Sequence, residues 1–153
     1  MKKMIIASLI TLNAYAADIN VASNNYSDDQ CAYYSTSTGQ FKITYKENLP
    51  WGSKIELVYG FNNTYGQVEW ARSGEEQMEA VAPYTWQTIF QEKTSSRGSF
   101  FAERLNFVFR ITLPDGTFYY DNGGQSPMGH YSADMPRMTC KPETLDILKI
   151  VAI

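Results

Sequence analysis

Hydrophobic and polar side chains alternate along several short stretches of this chain. In the first of them Phe41, Ile43 and Tyr45 alternate with Lys42 and Thr44, which is the period of two expected of a half-buried strand. Similar patterns predict further strands at residues 55–59, 68–71, 84–90, 105–113 and 118–120. The sequence therefore predicts a chain built mainly of short β-strands.

The longest alternation covers residues 105–113 and is followed by the turn-forming residues 114–117. This arrangement predicts a hairpin with residues 118–120. The predicted strand at residues 84–90 is expected to place four of its side chains on one face. Residues 94–99 after it are expected to form a loop. The side chains expected on that shared face are Tyr84, Trp86, Thr88 and Phe90.

The pattern is less regular elsewhere. Residues 20–40 are polar and rich in turn formers, which predicts an irregular lead-in. Residues 75–82 fit a short strand or one helical turn, and residues 143–153 fit a last strand or a short amphipathic helix. Short strands separated by turns favour an all-β fold, an antiparallel β-sandwich of immunoglobulin-like type. We assign residues 17–39 to the lead-in and 40–153 to the sandwich domain.

The first sixteen residues have the features of a secretory signal peptide. Lys2 and Lys3 precede a short apolar run, and small residues at Ala14 and Ala16 stand before Ala17. The apolar run is too short to cross a bilayer, and no later stretch approaches ~20 apolar residues. We therefore expect residues 1–16 to be removed and the protein to be secreted or periplasmic, with no membrane span.

Charge and composition narrow the classes of partner. The chain has 13 basic and 16 acidic side chains, which gives a formal net charge of −3. Loss of Lys2 and Lys3 with the signal peptide leaves 11 basic and 16 acidic side chains, a formal net charge of −5. An acidic protein repels phosphate backbones, so we expect no nucleic-acid partner. The single histidine, His130, provides little material for a metal site or paired histidine catalysis, so no metal or cofactor is expected.

Cys31 and Cys140 are the only cysteines, and they are not arranged as a CxxC motif. An isolated pair in an oxidising compartment favours a disulfide over a metal or redox site. Two unpaired buried thiols are the alternative.

No catalytic constellation is present in the sequence, so we do not expect an enzyme. Neither serine near His130 lies in a G-x-S-x-G motif. The most informative stretch instead combines aromatic and amide side chains, which suits the apolar face and hydroxyl fringe of a sugar ring. The residues of this stretch are Tyr119, Tyr120, Asp121, Asn122, Gln125, His130 and Tyr131.

Several motifs together resemble the starch- and glycogen-binding carbohydrate-binding modules. In order they are the segment WGSKIELVYG at 51–60, Trp86, the segment LNFVF at 105–109, the segment YDNGG at 120–124, and Tyr131. The resemblance covers residues 41–131. It implies an immunoglobulin-like sandwich that binds α-glucan without catalysis, and a core position for Trp86.

Carried over by position, the resemblance places Tyr120 where these modules often have a stacking tryptophan. Asn122 matches the first asparagine of their motif, and Asp121 lies between the two. Trp70 or Tyr65 is expected to supply a second platform, and no motif decides between them. The implied partner is a polysaccharide or oligosaccharide.

Two other classes of function stay open. One is an exported structural or protein-interaction domain that has the same fold and no sugar site. The other is a small polysaccharide hydrolase whose carboxylates meet only in the folded chain.

We predict that Cys31 and Cys140 form a disulfide in the exported protein. Loss of such a bridge by Cys140→Ser should lower the free energy of unfolding by ~2 to 5 kcal/mol. Mass spectrometry under non-reducing conditions tests the bridge directly. Two free thiols in protein purified from the periplasm or medium would contradict it.

Overall fold

The computed structural model describes an all-β protein. Every regular element in the described residues is a β-strand, and the paired strands are antiparallel. The described residues are 17–27, 36–63, 68–96, 100–124, 127–141 and 144–153. The strands are β1 (Asp18–Ser27), β2 (Ser37–Lys46), β3 (Lys54–Asn63), β4 (Val68–Gln77), β5 (Glu79–Ala82), β6 (Thr85–Ser96), β7 (Phe100–Thr112), β8 (Phe118–Asp121), β9 (Tyr131–Asp134), β10 (Asp146–Ile147) and β11 (Ile150–Ala152).

The alternation in β2, β3 and β7 corresponds to burial, as predicted. The alternate side chains that are buried in these strands are Phe41, Ile43, Tyr45, Ile55, Leu57, Tyr59, Leu105, Phe107, Phe109 and Ile111. We call the side of β3 and β7 that carries their buried side chains the inner face, and the side of β8 that continues it belongs to the same face. The opposite side, with Glu56, Val58, Asn106, Arg110 and Tyr120, is the outer face.

The sheet folds over on itself. Its hydrogen-bonded path runs β10-β1-β2-β6-β7-β3-β4, so three strand spacings, roughly 14 Å in a flat sheet, separate β2 from β3. The rings of Phe41 in β2 and Phe61 in β3 nevertheless have centroids 5.6 Å apart. The two halves of the path must therefore face each other across the core.

The fold-over occurs between β6 and β7. These strands pair only at Ser95 with Phe101 and Ser96 with Phe100, and β7 then continues beside β3. Stacked or tilted rings fill the space between the halves, with Tyr59 4.5 Å from Phe90. Trp86 is 9% exposed and belongs to the same core, as the resemblance implied.

The prediction of an irregular lead-in over residues 20–40 is wrong for most of that stretch. β1 pairs with β2 along its whole length, from Asp18 with Lys46 to Ser27 with Ser37. The polar side chains are buried because they bond to one another. Asn25 Oδ1 accepts a hydrogen bond from Thr94 Oγ1 at 2.7 Å, and buried polar groups paired in this way need not reach water.

Two predictions around β6 are also wrong. Tyr84 does not share the face of Trp86, because it lies in a turn with φ of +57° and is 58% exposed. β6 begins only at the next residue and extends to Ser96, so Thr94–Ser96 are not a loop. Residues 97–99 lie outside the described residues.

The stretch at residues 75–82 is strand rather than helical turn. It contains the end of β4 and the whole of β5, which pairs with β6. Met78 lies between the two strands and is buried.

The undecided stretch at residues 143–153 is also strand where it is described. β10 pairs with β1, and β11 pairs with β9. The chain therefore crosses from the edge of one half of the sheet to the edge of the other within a few residues. Position 143 itself lies outside the described residues.

The predicted disulfide is not decided by the fold. Cys140 follows Thr139, which bonds to Asn25 and Ser27 of β1 through its backbone. No described cysteine is a free thiol. Cys31 and the predicted signal peptide lie outside the described residues, so the pairing and the cleavage stay predictions.

We predict that Gly60→Ala destabilises the fold and shifts β4. A Cβ at position 60 would lie 2.7 Å from Trp70 Cα, and overpacking of this kind typically costs about 1 to 3 kcal/mol. Denaturant unfolding followed by tryptophan fluorescence measures both effects. Val58→Ala, on the same face, is the control that should leave the emission of Trp70 unchanged. Wild-type stability in Gly60→Ala would contradict the close approach.

Candidate functional site

Tyr120 lies on the outer face of β8. It is opposite Arg110 of β7, while Tyr119 and Asp121 on either side of it point inward. Its side chain is 51% exposed, and its ring meets the edge of Phe118 at 6.0 Å and 88°. Tyr120 is therefore a surface aromatic and not a core residue.

A charged pair fixes the surroundings of Tyr120. Arg110 Nε donates to Glu56 Oε2 at 2.8 Å, and Nη2 donates to the same oxygen. These hydrogen bonds, together with the Glu56 charge and a smaller contribution from a bond with Tyr120, raise the pKa of Arg110. Tyr120 thus lies beside a guanidinium that Glu56 already orients.

Trp70 lies on the same outer face through a local distortion of β4. Its φ is +60°, an unusual value for a residue with a Cβ, and the pairing of β3 with β4 shifts register on each side of Phe61. Gly60 makes room for the indole, since a Cβ there would be 3.0 Å from Trp70 Cε3. The ring of His130 lies 5.4 Å from that of Trp70, at 71°.

Trp70 and Tyr120 stand at opposite corners of one surface. Gly60, beneath Trp70, pairs with Asn106, whereas Tyr120 pairs with Arg110. Asn106 and Arg110 are four residue steps apart along β7, a distance of roughly 14 Å. The face between two partly exposed rings is long enough for an extended ligand.

A row of amide and hydroxyl groups crosses the Trp70 end of this face. Asn106 Nδ2 donates to Asn62 Oδ1, and Ser132 Oγ donates to Asn106 Oδ1 at 2.8 Å. Asn106 and Ser132 are fully buried, while Asn62 is partly exposed. These hydrogen bonds fix the positions of the three side chains beneath the surface, and Asn62 is the one nearest solvent.

Asp121 points inward and serves the fold. Its Oδ1 accepts from the Tyr131 hydroxyl at 2.7 Å and from Gly123 N at 3.2 Å, and its Oδ2 accepts from Tyr45 at 2.9 Å. The Tyr45 hydroxyl also bonds to Glu47 Oε2. Both oxygens of Asp121 are thus engaged by protein groups, so its observed role is to anchor the turn after β8.

Asn122 occupies that turn, two residues beyond Tyr120. Its Oδ1 accepts from Gly124 N at 3.1 Å, a local bond typical of asparagine in turns. Gly123 has φ of +82°, and a Cβ there would lie 2.5 Å from Ala152 Cβ. The turn therefore requires glycine at 123, and β11 packs against it.

Comparison of the chain with family models, curated proteins and solved structures finds no match. The resemblance to carbohydrate-binding modules consequently rests on the motif residues alone. Of the two residues predicted to supply a second platform, Trp70 is on the Tyr120 face, and Tyr65 lies outside the described residues.

Among the described residues, no group of three or more His, Cys, Asp and Glu side chains is placed to hold a metal ion. Those residues also contain no helix with the length and apolar character needed to span a bilayer.

Sequence reasoning missed the residues that support the two rings. Arg110, Glu56 and Asn106 occupy the polar positions of predicted strands, where alternation indicates only that they face away from the core. Their pairing depends on the register between β3 and β7. The contact of His130 with Trp70 depends on the distortion of β4, and Gly60 is the only residue whose type could have indicated that distortion.

We predict that stability falls in alkaline solution. Burial is the largest cause of the raised pKa values of Tyr45, Tyr59 and Tyr131, and neighbouring carboxylates raise them further. Above about pH 10, the unfolded chain releases these protons while the folded chain keeps them, so the contribution present below that pH is progressively lost. Urea unfolding at increasing pH measures the decline.

Tyr131→Phe is the diagnostic variant for this effect. It removes one of the three buried hydroxyls, so its stability should fall less steeply with pH than that of the wild type. An identical decline in the two proteins would contradict the assignment to Tyr131.

Proposed function

We propose that this chain is an exported, non-catalytic carbohydrate-binding protein, with an α-glucan as the first ligand to test. The observation that carries the proposal is that Trp70 and Tyr120, two partly exposed rings, lie on one outer face. Each ring offers a flat apolar surface with a polar tip, which suits the C–H face of a sugar.

Polar groups beside the rings match the hydroxyl fringe of such a ligand. Arg110 and Glu56 lie next to Tyr120, and Asn62 and His130 lie near Trp70. Arg110 and Glu56 form an ion pair, so these two side chains together present no net charge to a ligand. A glucan chain carries no charge, so it can stack on the two rings and contact the Arg110–Glu56 pair without an unbalanced charge.

The proposed fold is an immunoglobulin-like sandwich, as in the modules that the motifs resemble. Support comes from the facing halves of the sheet, the ring contacts between them and the core position of Trp86. In this proposal the hydrogen bonds of Asp121 to Tyr45 and Tyr131 attach β8 and the following turn to the sandwich. The ligand lies along the outer face of β3 and β7.

The proposal predicts weak but specific binding. A site with two platforms and few hydrogen bonds should bind in the range of millimolar to tens of micromolar, or ~4 to 6 kcal/mol. Affinity electrophoresis through gels containing glycogen or starch measures it. Tyr120→Ala should abolish retention, because one well-placed aromatic often dominates a small interface.

Trp51→Ala is the matched control, since Trp51 is 99% exposed and removing its ring disturbs no packing. It should be retained like the wild type. Circular dichroism must show that Tyr120→Ala is folded, and retention of that folded variant at wild-type strength would contradict the site.

Tryptophan emission tests the second platform separately. In a Trp51→Phe background only Trp70 and the buried Trp86 remain, so a ligand on Trp70 should change the emission. Release of reducing ends from the glucan would instead indicate a hydrolase. Failure to bind starch, glycogen and a wider glycan panel would favour the protein-interaction domain.

A further inference from the structure

The turn after β8 contains the one Asn-Gly pair of the chain, Asn122 with Gly123. In such a pair the backbone nitrogen of the glycine can attack the side-chain carbonyl carbon of the asparagine, because no Cβ hinders its approach. Two hydrogen bonds of the turn are made by the atoms that would react. Gly123 N donates to Asp121 Oδ1 at 3.2 Å, and Gly124 N donates to Asn122 Oδ1 at 3.1 Å.

We propose that Asn122 is a site of spontaneous deamidation which the folded turn accelerates. Gly123 N forms a bond to Asn122 Cγ, and the proton on that nitrogen passes to Asp121 Oδ1. The bond from Cγ to Nδ2 then breaks, and ammonia leaves with the proton returned from Asp121. Water opens the resulting succinimide to aspartate or isoaspartate, so the only co-reactant is water.

Each hydrogen bond favours one part of this step. A carboxylate already in contact with the attacking nitrogen is placed to act as general base. The Gly124 N–H points at Asn122 Oδ1, the oxygen that gains negative charge when Cγ becomes tetrahedral, and a donor fixed at that place stabilises the transition state. Tyr45 and Tyr131 hold the carboxylate of Asp121 in position.

The turn also preserves the reactive pair. Gly123 has φ of +82°, and a side chain at that position would collide with Ala152. A residue that would slow the attack by its bulk is therefore excluded by the packing of β11. The turn therefore requires glycine at position 123, and glycine is also the residue that least hinders the attack of its own backbone nitrogen on Asn122.

The effect on ligand binding rests on the proposed function. Deamidation replaces the Asn122 amide by a carboxylate, and the isoaspartate product also lengthens the backbone by one carbon beside Tyr120. Glucan retention should therefore decline in step with the modified fraction as the protein ages. The modification itself is judged by mass, so a failure of sugar binding leaves it unaffected.

The experiment compares the full chain folded in buffer with the same chain unfolded in urea, both aged in mildly alkaline solution. The tryptic peptide of residues 111–137 contains no asparagine besides Asn122. Its conversion to the heavier acid form gives the rate, and fragmentation assigns the change to position 122. We expect the folded chain to react faster than the unfolded chain, and an equal or slower rate would overturn the proposal.

Two variants sharpen the result. Asp121→Asn keeps an oxygen acceptor but removes the base, so it should slow the reaction at Asn122 in the folded chain about tenfold or more and leave the unfolded rate unchanged. An unchanged folded rate would remove Asp121 from the mechanism. Asn122→Gln should show no mass gain at 122, and a gain there would contradict the assignment. If Asp121→Asn does not fold, the wild-type comparison decides alone.

Discussion

The bond between the Tyr45 hydroxyl and the Asp121 carboxylate joins the core to the surface on which binding is proposed. Tyr45 belongs to β2 and its ring packs 4.5 Å from that of Phe109 of β7, so it already spans the two halves of the sheet. Through Asp121 the same residue also holds the end of β8. A buried polar contact of this kind stabilises one arrangement because leaving any partner unpaired is costly.

Strand β8 divides its side chains between two tasks. Asp121 and Tyr119 lie on the inner face, where Tyr119 is still 40% exposed, and Tyr120 points outward beside Phe118. The segment YDNGG is therefore not a contiguous patch of ligand contacts. Its aspartate and first glycine fix the turn, while its tyrosine faces solvent and its asparagine follows in the turn.

The sequence predicted the parts of β2, β3 and β7 in which large apolar or aromatic side chains line one face, since burial in a sheet imposes a period of two. It failed where polar residues are buried by bonding to one another, as Asn25 and Thr94 do. It also failed where a single backbone angle redirects a side chain, as at Tyr84. For the candidate site, the aromatic residues were predictable from type and motif, but the shared face of Trp70 and Tyr120 required knowledge of strand register.

The crossing of the chain through β10 and β11 has a consequence for the order of folding. Ala22 of β1 pairs with Ile147 of β10, a separation of 125 positions, and contacts this distant in sequence are slow to form. Until β10 arrives, β1 has one uncovered edge and Gly123 lacks the β11 residue against which it packs. The turn that bears Asn122 should therefore be among the last parts of the molecule to become ordered, even though β8, immediately before it, pairs with its neighbour in a local hairpin.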